Sequence, residues 1–584
     1  MKNLKTLFTK HYRLPKVDLL ERALNEFSPV EKVLSTILIV MLILGAGNLL
    51  YKANELFLTE VPSLGGELRE GIVGSPRFIN PILAPSDADR DLTALIYSGL
   101  LKATPDGKLV PDLADRYEIS KDGLIYTFHL RDHATFHDGV EVTPDDVLFT
   151  IQKAQDSALK SPKRANWEGV TAGKKGDREV ILTLTQPYAP FLENATLGIL
   201  PKHLWKNADA DHFPFSTLNL DAVGSGPYKV KKIKRDNSGI PYYFELSSFK
   251  GYALGRPYIN TIIVNFYQSE KDLLAGFSSG EIESMNTITP KAAKELGEKG
   301  YRIERTPLPR VFAVFFNQNQ APILAEKPVR LALDLATDKQ AIVDSVLSSY
   351  GVPINDPIPP LLLSSKKVAT STEVRLATAN ALLDKAKWIR NTETGIREKI
   401  KMTGKTKEIQ KLSFSLITSD VPELRESAEL LKEMWKKIGV EARMQIFEKG
   451  DLAQNVIRPR KFDALLFGEI IGRDLDLFAF WHSSQRNDPG LNIAMYTNAK
   501  VDKLLEEARR TTDTVKRVHD YTSAVETIRA DAPAIFLYSP EFMYVLPEKI
   551  HGFTLSHSTI PSERFLDVHH WYITTEKVWT ILTQ

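Results

Sequence analysis

Apolar positions along the chain follow three rhythms, and each predicts a different kind of element. The first is an unbroken run. "VLSTILIVMLILGAGNLL", residues 33–50, is 18 residues without a charge, about 27 Å as a helix and close to the thickness of a bilayer's hydrocarbon core. The second is a step of three or four. In "PELRESAELLKEMWKKIG", Leu424, Ala428, Leu431, Trp435 and Ile438 line one helix face, and Gly439 suits the helix end. "KVDKLLEEARR" repeats the logic with Val501, Leu504, Leu505 and Ala508, and Trp435 is expected to pack in a core. The third rhythm is strand-like, as in "GELREGIVG" (66–74), "LIYTFHL" (124–130), "REVILTL" (178–184), "INTIIVNFY" (259–267), "VFAVFFN" (311–317) and "AIFLYSP" (534–540). Strand-like and helix-like segments alternate through the chain, which argues for an α/β protein.

Charge decides how the apolar run is read. Lys2, Lys5, Lys10, Arg13, Lys16, Arg22 and Lys32 precede it against four acids, and only Lys52 follows closely. The positive-inside rule then puts residues 1–32 in the cytoplasm, 33–50 across the membrane, and the rest outside after a short stalk at 51–63. A cleaved signal peptide is the alternative, with "GAG" at 45–47 as its small-residue site. Its basic leader would have to exceed thirty residues, so an uncleaved anchor is expected.

At 584 residues the chain predicts two to four domains. Its 75 Lys and Arg nearly cancel its 73 Asp and Glu, without the basic stripe of a nucleic-acid binder, so no nucleic-acid partner is expected. The absence of cysteine excludes disulfides, thiolate nucleophiles and Cys-ligated metal. His-Glu-x-x-His, Gly-x-Ser-x-Gly, P-loop and dinucleotide patterns are missing too, so a membrane-anchored hydrolase has no motif behind it. "FHLRDHATFHDGVEVTPDD" (128–146) spaces His129, His133 and His137 by four, which on a helix would suggest a metal site. The string parses instead as a strand end, an "HDG" turn and a helix start, with Thr143 as N-cap, Pro144 next, and Asp145 and Asp146 in the first turn. Neither a metal site nor a cofactor is expected.

That same segment carries a resemblance. "YTFHLRDHATFHDGVEVTPDDVLFTIQKA" (126–154) is similar to the signature of extracytoplasmic solute-binding proteins of peptide/nickel-type ABC importers. So, in the family's order, are "VGSGPYKVKKIK" (223–234), "INTIIVNFYQSEKDLLAGFSSGEIES" (259–284), the long stretch 315–360, "DLFAFWHSSQ" (476–485) and "GLNIAMYTNAKVDKLLEEAR" (490–509). The resemblance implies a periplasmic-binding-protein-like type II fold, two lobes that close on a solute like a clamshell plus an extra domain. Lobe I would comprise 64–97, 222–307 and 545–584, the extra domain 98–221, and lobe II 308–544, with crossings near Pro307 and Tyr544. It further implies a monomer that binds a peptide or other small solute and serves ABC permease subunits. In peptide-binding relatives an aspartate of a lobe II loop meets the ligand's ammonium. Here the loop reads "GRDLDLFAFWHSSQ", which keeps Asp474 and Asp476 but has Leu475 and Leu477 where the family has prolines. Trp481 would stack on ligand, Asn317 would bond its backbone, and His482 packs or contacts it. A surface sensor or chaperone on the same scaffold is the rival reading.

Overall fold

The computed structural model describes residues 26–359, 371–403, 406–473 and 476–582. The chain divides into two compact units, residues 64–573 and a smaller one made of the segments before 64 and after 573.

Residues 64–573 are organised on a mixed sheet. Its hydrogen-bonded order is Glu441–Phe447, Ser413–Ser419, Ala464–Ile470, Arg310–Phe316, Ala534–Val545, Ser284–Met285, Glu67–Val73, Thr261–Tyr267, Pro241–Ser248 and Tyr228–Arg235. The middle strand belongs to both lobes. Ala534 to Tyr538 pair with Phe315 to Phe312, and Glu541 to Val545 pair with Pro307 to Ile303. Nine of the 12 residues of this strand are buried, as its run of aliphatic and aromatic residues dictates. Between the two pairings the Ser539 hydroxyl donates to Leu308 O at 2.6 Å, and Leu308 N–H donates to Pro540 O at 2.9 Å. Those bonds fasten the crossing.

Two apolar clusters cover opposite faces of the second lobe's sheet. Trp435 lies in one of them, wholly buried, its indole N–H 3.1 Å from both Leu333 O and Thr337 Oγ1. The helix stripe of the sequence is thus the packed face of helix Pro422–Lys436. The first lobe and the extra domain share a larger core. Within it Arg564 is fully buried between Glu70 (2.8 Å) and Asp91 (2.7 Å), and the Tyr544 hydroxyl donates to Glu70 at 2.8 Å. Burial pushes the Asp91 carboxyl up to about 6 despite the neighbouring guanidinium. A buried charge set of this kind holds only because every member is paired.

The extra domain's antiparallel sheet runs Ala114–Ile119, Ile125–Leu130, Glu179–Leu184, Val170–Lys175. The expected strand, turn and helix at 124–146 are all present, the helix spanning Pro144–Gln155. Asp146 accepts both the Thr143 N–H (2.9 Å) and its hydroxyl (2.7 Å), closing the helix start. His129 sits in the ladder opposite Arg116, and His133 takes a left-handed φ of 60°. His137 receives the Gly224 N–H on Nδ1 and places Nε2 3.0 Å from Gly226 O. Burial lowers its pKa to about 4, so it stays neutral. The three histidines hold separate structural posts.

In the smaller unit, helix Pro29–Leu56 is longer than the expected 33–50 at both ends and has no buried residue. Ser28 and Glu31 cap its start reciprocally. The expected stalk is helix as far as Leu56. A strand then follows, Leu58–Ser63, pairing antiparallel with Thr574–Trp579 from Leu58↔Trp579 to Ser63↔Thr574.

Candidate ligand-binding cleft

The loop flagged by its acids leaves the sheet at Ile470. Just before it, Gly468 is required by packing, because a Cβ there would lie 2.7 Å from the Phe312 ring, itself stacked on Tyr538 at 5.1 Å. Ile471 and Leu477 are buried and pin the loop at both ends, leaving Arg473 and Asp476 to face different cavities.

Arg473 is the central cation. Its side chain is only 6% exposed, with Nη2 2.6 Å from Glu563 and Nε 3.3 Å from Glu193. Glu193 comes from the extra domain's 3-10 turn Ala189–Thr196 and Glu563 from the turn Pro561–Phe565. Glu563 is itself held by Thr559, whose N–H donates at 2.6 Å and whose hydroxyl donates as well. One guanidinium thus joins three distant parts of the fold. Arg473 Nη1 finds no hydrogen-bond partner among the described residues.

These groups wall a cavity of about 190 Å³ with Tyr97, Lys102, Asp112 and Tyr252. Asp112 is 3% exposed, and among the described residues one carboxylate oxygen finds no hydrogen-bond partner, nor does the Tyr97 hydroxyl. Burial pushes the Asp112 carboxyl up to about 6, against the pull of Lys102 and the Ser98 hydroxyl. Burial also lowers the Lys102 ammonium, whose Nζ lies 3.3 Å from His569 Nδ1. Buried polar atoms left open on a cavity wall are costly unless a ligand or water meets them. The wall offers both donors and acceptors, which suits a solute bearing both charges.

Asp476 is already engaged. It binds Arg509 at 2.9 Å, accepts the Tyr188 hydroxyl at 3.3 Å, and accepts the Phe478 N–H at 3.2 Å. The Arg509 guanidinium lies 4.3 Å over the Phe478 ring and 5.2 Å over Tyr188. Burial and the Asp476 charge push the Tyr188 phenol up to about 12. This group lines a second cavity of about 750 Å³ between the extra domain and the second lobe, with Asn166, Glu506 and Arg510. A ligand ammonium would reach Asp476 here only by competing with Arg509. Asp474 lies outside the described residues.

None of the other expected contacts itself lines either cavity. Trp481 is wholly buried against Phe315, Tyr496 and Phe536, so in this conformation its indole presents no face to a ligand. The short helix Phe478–Trp481 is anchored by that burial. Asn317 is 3% exposed and clamps its own loop, donating to Arg460 O at 2.8 Å and accepting from the Asn319 and Gln320 N–H groups. His482 stacks on Phe478 at 4.0 Å and lies 3.3 Å from Glu506. Arg473 shares this loop with the two expected acids but was not itself an expected contact. The signal available was a lone arginine beside two aspartates on a loop bounded by buried apolar residues.

Two lobes sharing one sheet strand, an inserted extra domain and a polar cavity walled from all three define a type II periplasmic-binding-protein-like solute-binding protein. The chain belongs to the bacterial extracellular solute-binding proteins, family 5, whose middle-region model matches residues 108–490. It is 29% identical to the oligopeptide-binding protein AppA of Bacillus subtilis, over 88% of this chain and 92% of that protein. The structure of AppA in complex with a nonapeptide superposes with a TM-score of 0.66 at 28% identity, covering 88% of this chain and all of the other. NikZ from Campylobacter jejuni, in complex with Ni(L-His), gives a TM-score of 0.65 at 26% identity, covering 87% and 99%.

Proposed function

We propose that this chain captures a peptide, or a similar small solute, between its lobes and hands it to the permease of an ABC importer. The observation that supports this most is the partly open cavity around Arg473, walled by three parts of the fold and lined with buried polar atoms that have no partner among the described residues. Likeness to AppA, a nonapeptide complex, favours a peptide as the solute. Closure turns about the crossings near Pro307 and Tyr544 and buries the solute, and the closed shape is what a permease would read. Binding rather than catalysis is the role, exercised by a monomer. The helix Pro29–Leu56, with no buried residue and a mean hydropathy of 2.4 in its apolar window, supports an uncleaved anchor that holds the binding unit outside the membrane.

Two experiments test the reading. Native mass spectrometry of the full chain released from detergent, followed by calorimetry with peptides of two to nine residues, should find a bound peptide and saturable binding. A chain that binds no peptide, or that cleaves those offered, would overturn the transport reading. Membrane fractionation should keep the full-length species with the membrane, and a soluble product starting near Asn48 would establish cleavage instead.

A further inference from the structure

We infer that the ribbon formed by Leu58–Ser63 and Thr574–Trp579 is a second membrane contact, its apolar end resting among lipid headgroups beside the helix Pro29–Leu56; this rests on that helix being an anchor. The two strands are far apart in sequence yet pair over six residues, and the pairing starts at the residue after Phe57. Beyond the ribbon the chain folds back onto the helix end, where Thr580 N–H donates to Phe57 O at 2.8 Å and the Thr580 hydroxyl contacts the Thr59 hydroxyl at 2.9 Å. These bonds set Trp579 and Ile581 beside Leu56, Phe57 and Leu58.

Exposed apolar side chains and charged ones occupy different parts of the ribbon. At the helix end, Leu56, Phe57, Trp579 and Ile581 are exposed, Trp579 by 55% and Ile581 by 77%. About 7 Å further on, at two residues of strand rise, Glu60 faces Lys577, and Glu576 faces Val61. The apolar end therefore points back towards the anchor and the charged part away from it. A cluster of exposed large apolar side chains needs a partner. The partner is fixed by continuity, since the cluster adjoins an apolar helix with no buried residue. Leu56 lies about 9 Å along the helix axis from Leu50, where the uncharged run ends. Headgroups extend about 5–8 Å beyond the hydrocarbon on each side, so the cluster lies at the outer headgroup level with Tyr51 nearer the hydrocarbon. Trp and Tyr favour that zone, where a ring can be half buried while its N–H or O–H stays wet.

The fold supplies its own probe. Of seven tryptophans, Trp167, Trp205, Trp388, Trp435, Trp481 and Trp571 are buried, and Trp579 alone is exposed. The full chain is reconstituted into vesicles of phosphatidylethanolamine and phosphatidylglycerol, with and without a lipid bearing a nitroxide on its headgroup. Flotation is measured on the same samples. The expected result is that the chain floats with the lipid and part of its tryptophan emission is quenched by the nitroxide. Trp579→Phe should abolish the quenched component, and Ile581→Asp should remove most of it with Trp579 still present. Emission unchanged by the nitroxide in a chain that floats would overturn the ribbon contact alone, as would cross-linking between copies through position 579. A chain that fails to float would overturn the anchor, and the ribbon contact with it.

Discussion

Replacing Arg473 with alanine removes the one cation that ties the second lobe to both Glu193 and Glu563. The bond to Glu563 is short, 2.6 Å, and both side chains are mostly buried, 6% and 13% exposed. A charge-assisted hydrogen bond in such surroundings contributes about 1.5–3 kcal/mol. Glu193 is 29% exposed and sits at 3.3 Å, so its share is at most about 1 kcal/mol. Together they favour the state in which the three segments meet by about 2–4 kcal/mol, before the cost of desolvating the groups is subtracted. At 1.4 kcal/mol per factor of ten, the variant should shift the closed-to-open ratio about 30- to 700-fold. Small-angle scattering of the ligand-free protein should then show a larger radius of gyration, and calorimetry a weaker affinity, since the solute must supply the closure energy itself. Arg473→Lys should recover part of the effect. A double-mutant cycle with Glu563→Gln should give a coupling above about 1 kcal/mol. Unchanged scattering with a coupling indistinguishable from zero would refute the bridge as a closing contact.

Three further outcomes are expected. Asp476→Asn should weaken peptide binding by calorimetry, because Arg509 and Tyr188 lose the carboxylate that organises the 750 Å³ cavity; unchanged affinity would remove Asp476 from the binding surface. Glu469 is 5% exposed without a hydrogen-bond partner on either oxygen among the described residues, and burial holds its carboxyl well above the usual 4.5. The folded chain therefore keeps a proton that the unfolded chain releases, so this group's contribution is full below 4.5 and is lost as pH rises through the folded value. Glu469→Gln should raise the Tm at about pH 8 more than at about pH 4, and an equal shift at both would contradict the burial argument. Arg564→Ala leaves Glu70 and Asp91 uncompensated and should cost about 3–5 kcal/mol in chemical denaturation.

What could be read ahead of the structure follows the range of the forces involved. The stripe from Leu424 to Trp435, the helix start at Pro144 and the apolar run at 33–50 are set by neighbours within a turn or two; the first two are where the pattern put them, and the third lies inside the longer helix Pro29–Leu56. The pairing of Leu58–Ser63 was invisible because its partner strand lies at the far end of the chain. The same holds for the cleft. Arg473 meets Glu193 and Glu563 only after three segments have packed, so nothing local marks the pair. Trp481 sits in a motif that invites a ligand-stacking role, yet the direction its indole takes was decided by Phe315 and Phe536 from other strands. Asn317 illustrates the reverse: a polar residue beside the sheet edge is explained by its own turn.

The strand Ala534–Val545 has a consequence for how the protein is made. It fills the gap between Arg310–Phe316 and Ser284–Met285, and no earlier segment occupies that place in the sheet. Until it arrives, a growing chain carries two half-sheets, each with an unpaired edge of backbone N–H and C=O groups. Both therefore become complete in one late event, spanning long sequence separations that make closure slow. The nascent sheet thus stays open until Val545 has been synthesised, and that intermediate is the one most exposed to edge-to-edge aggregation.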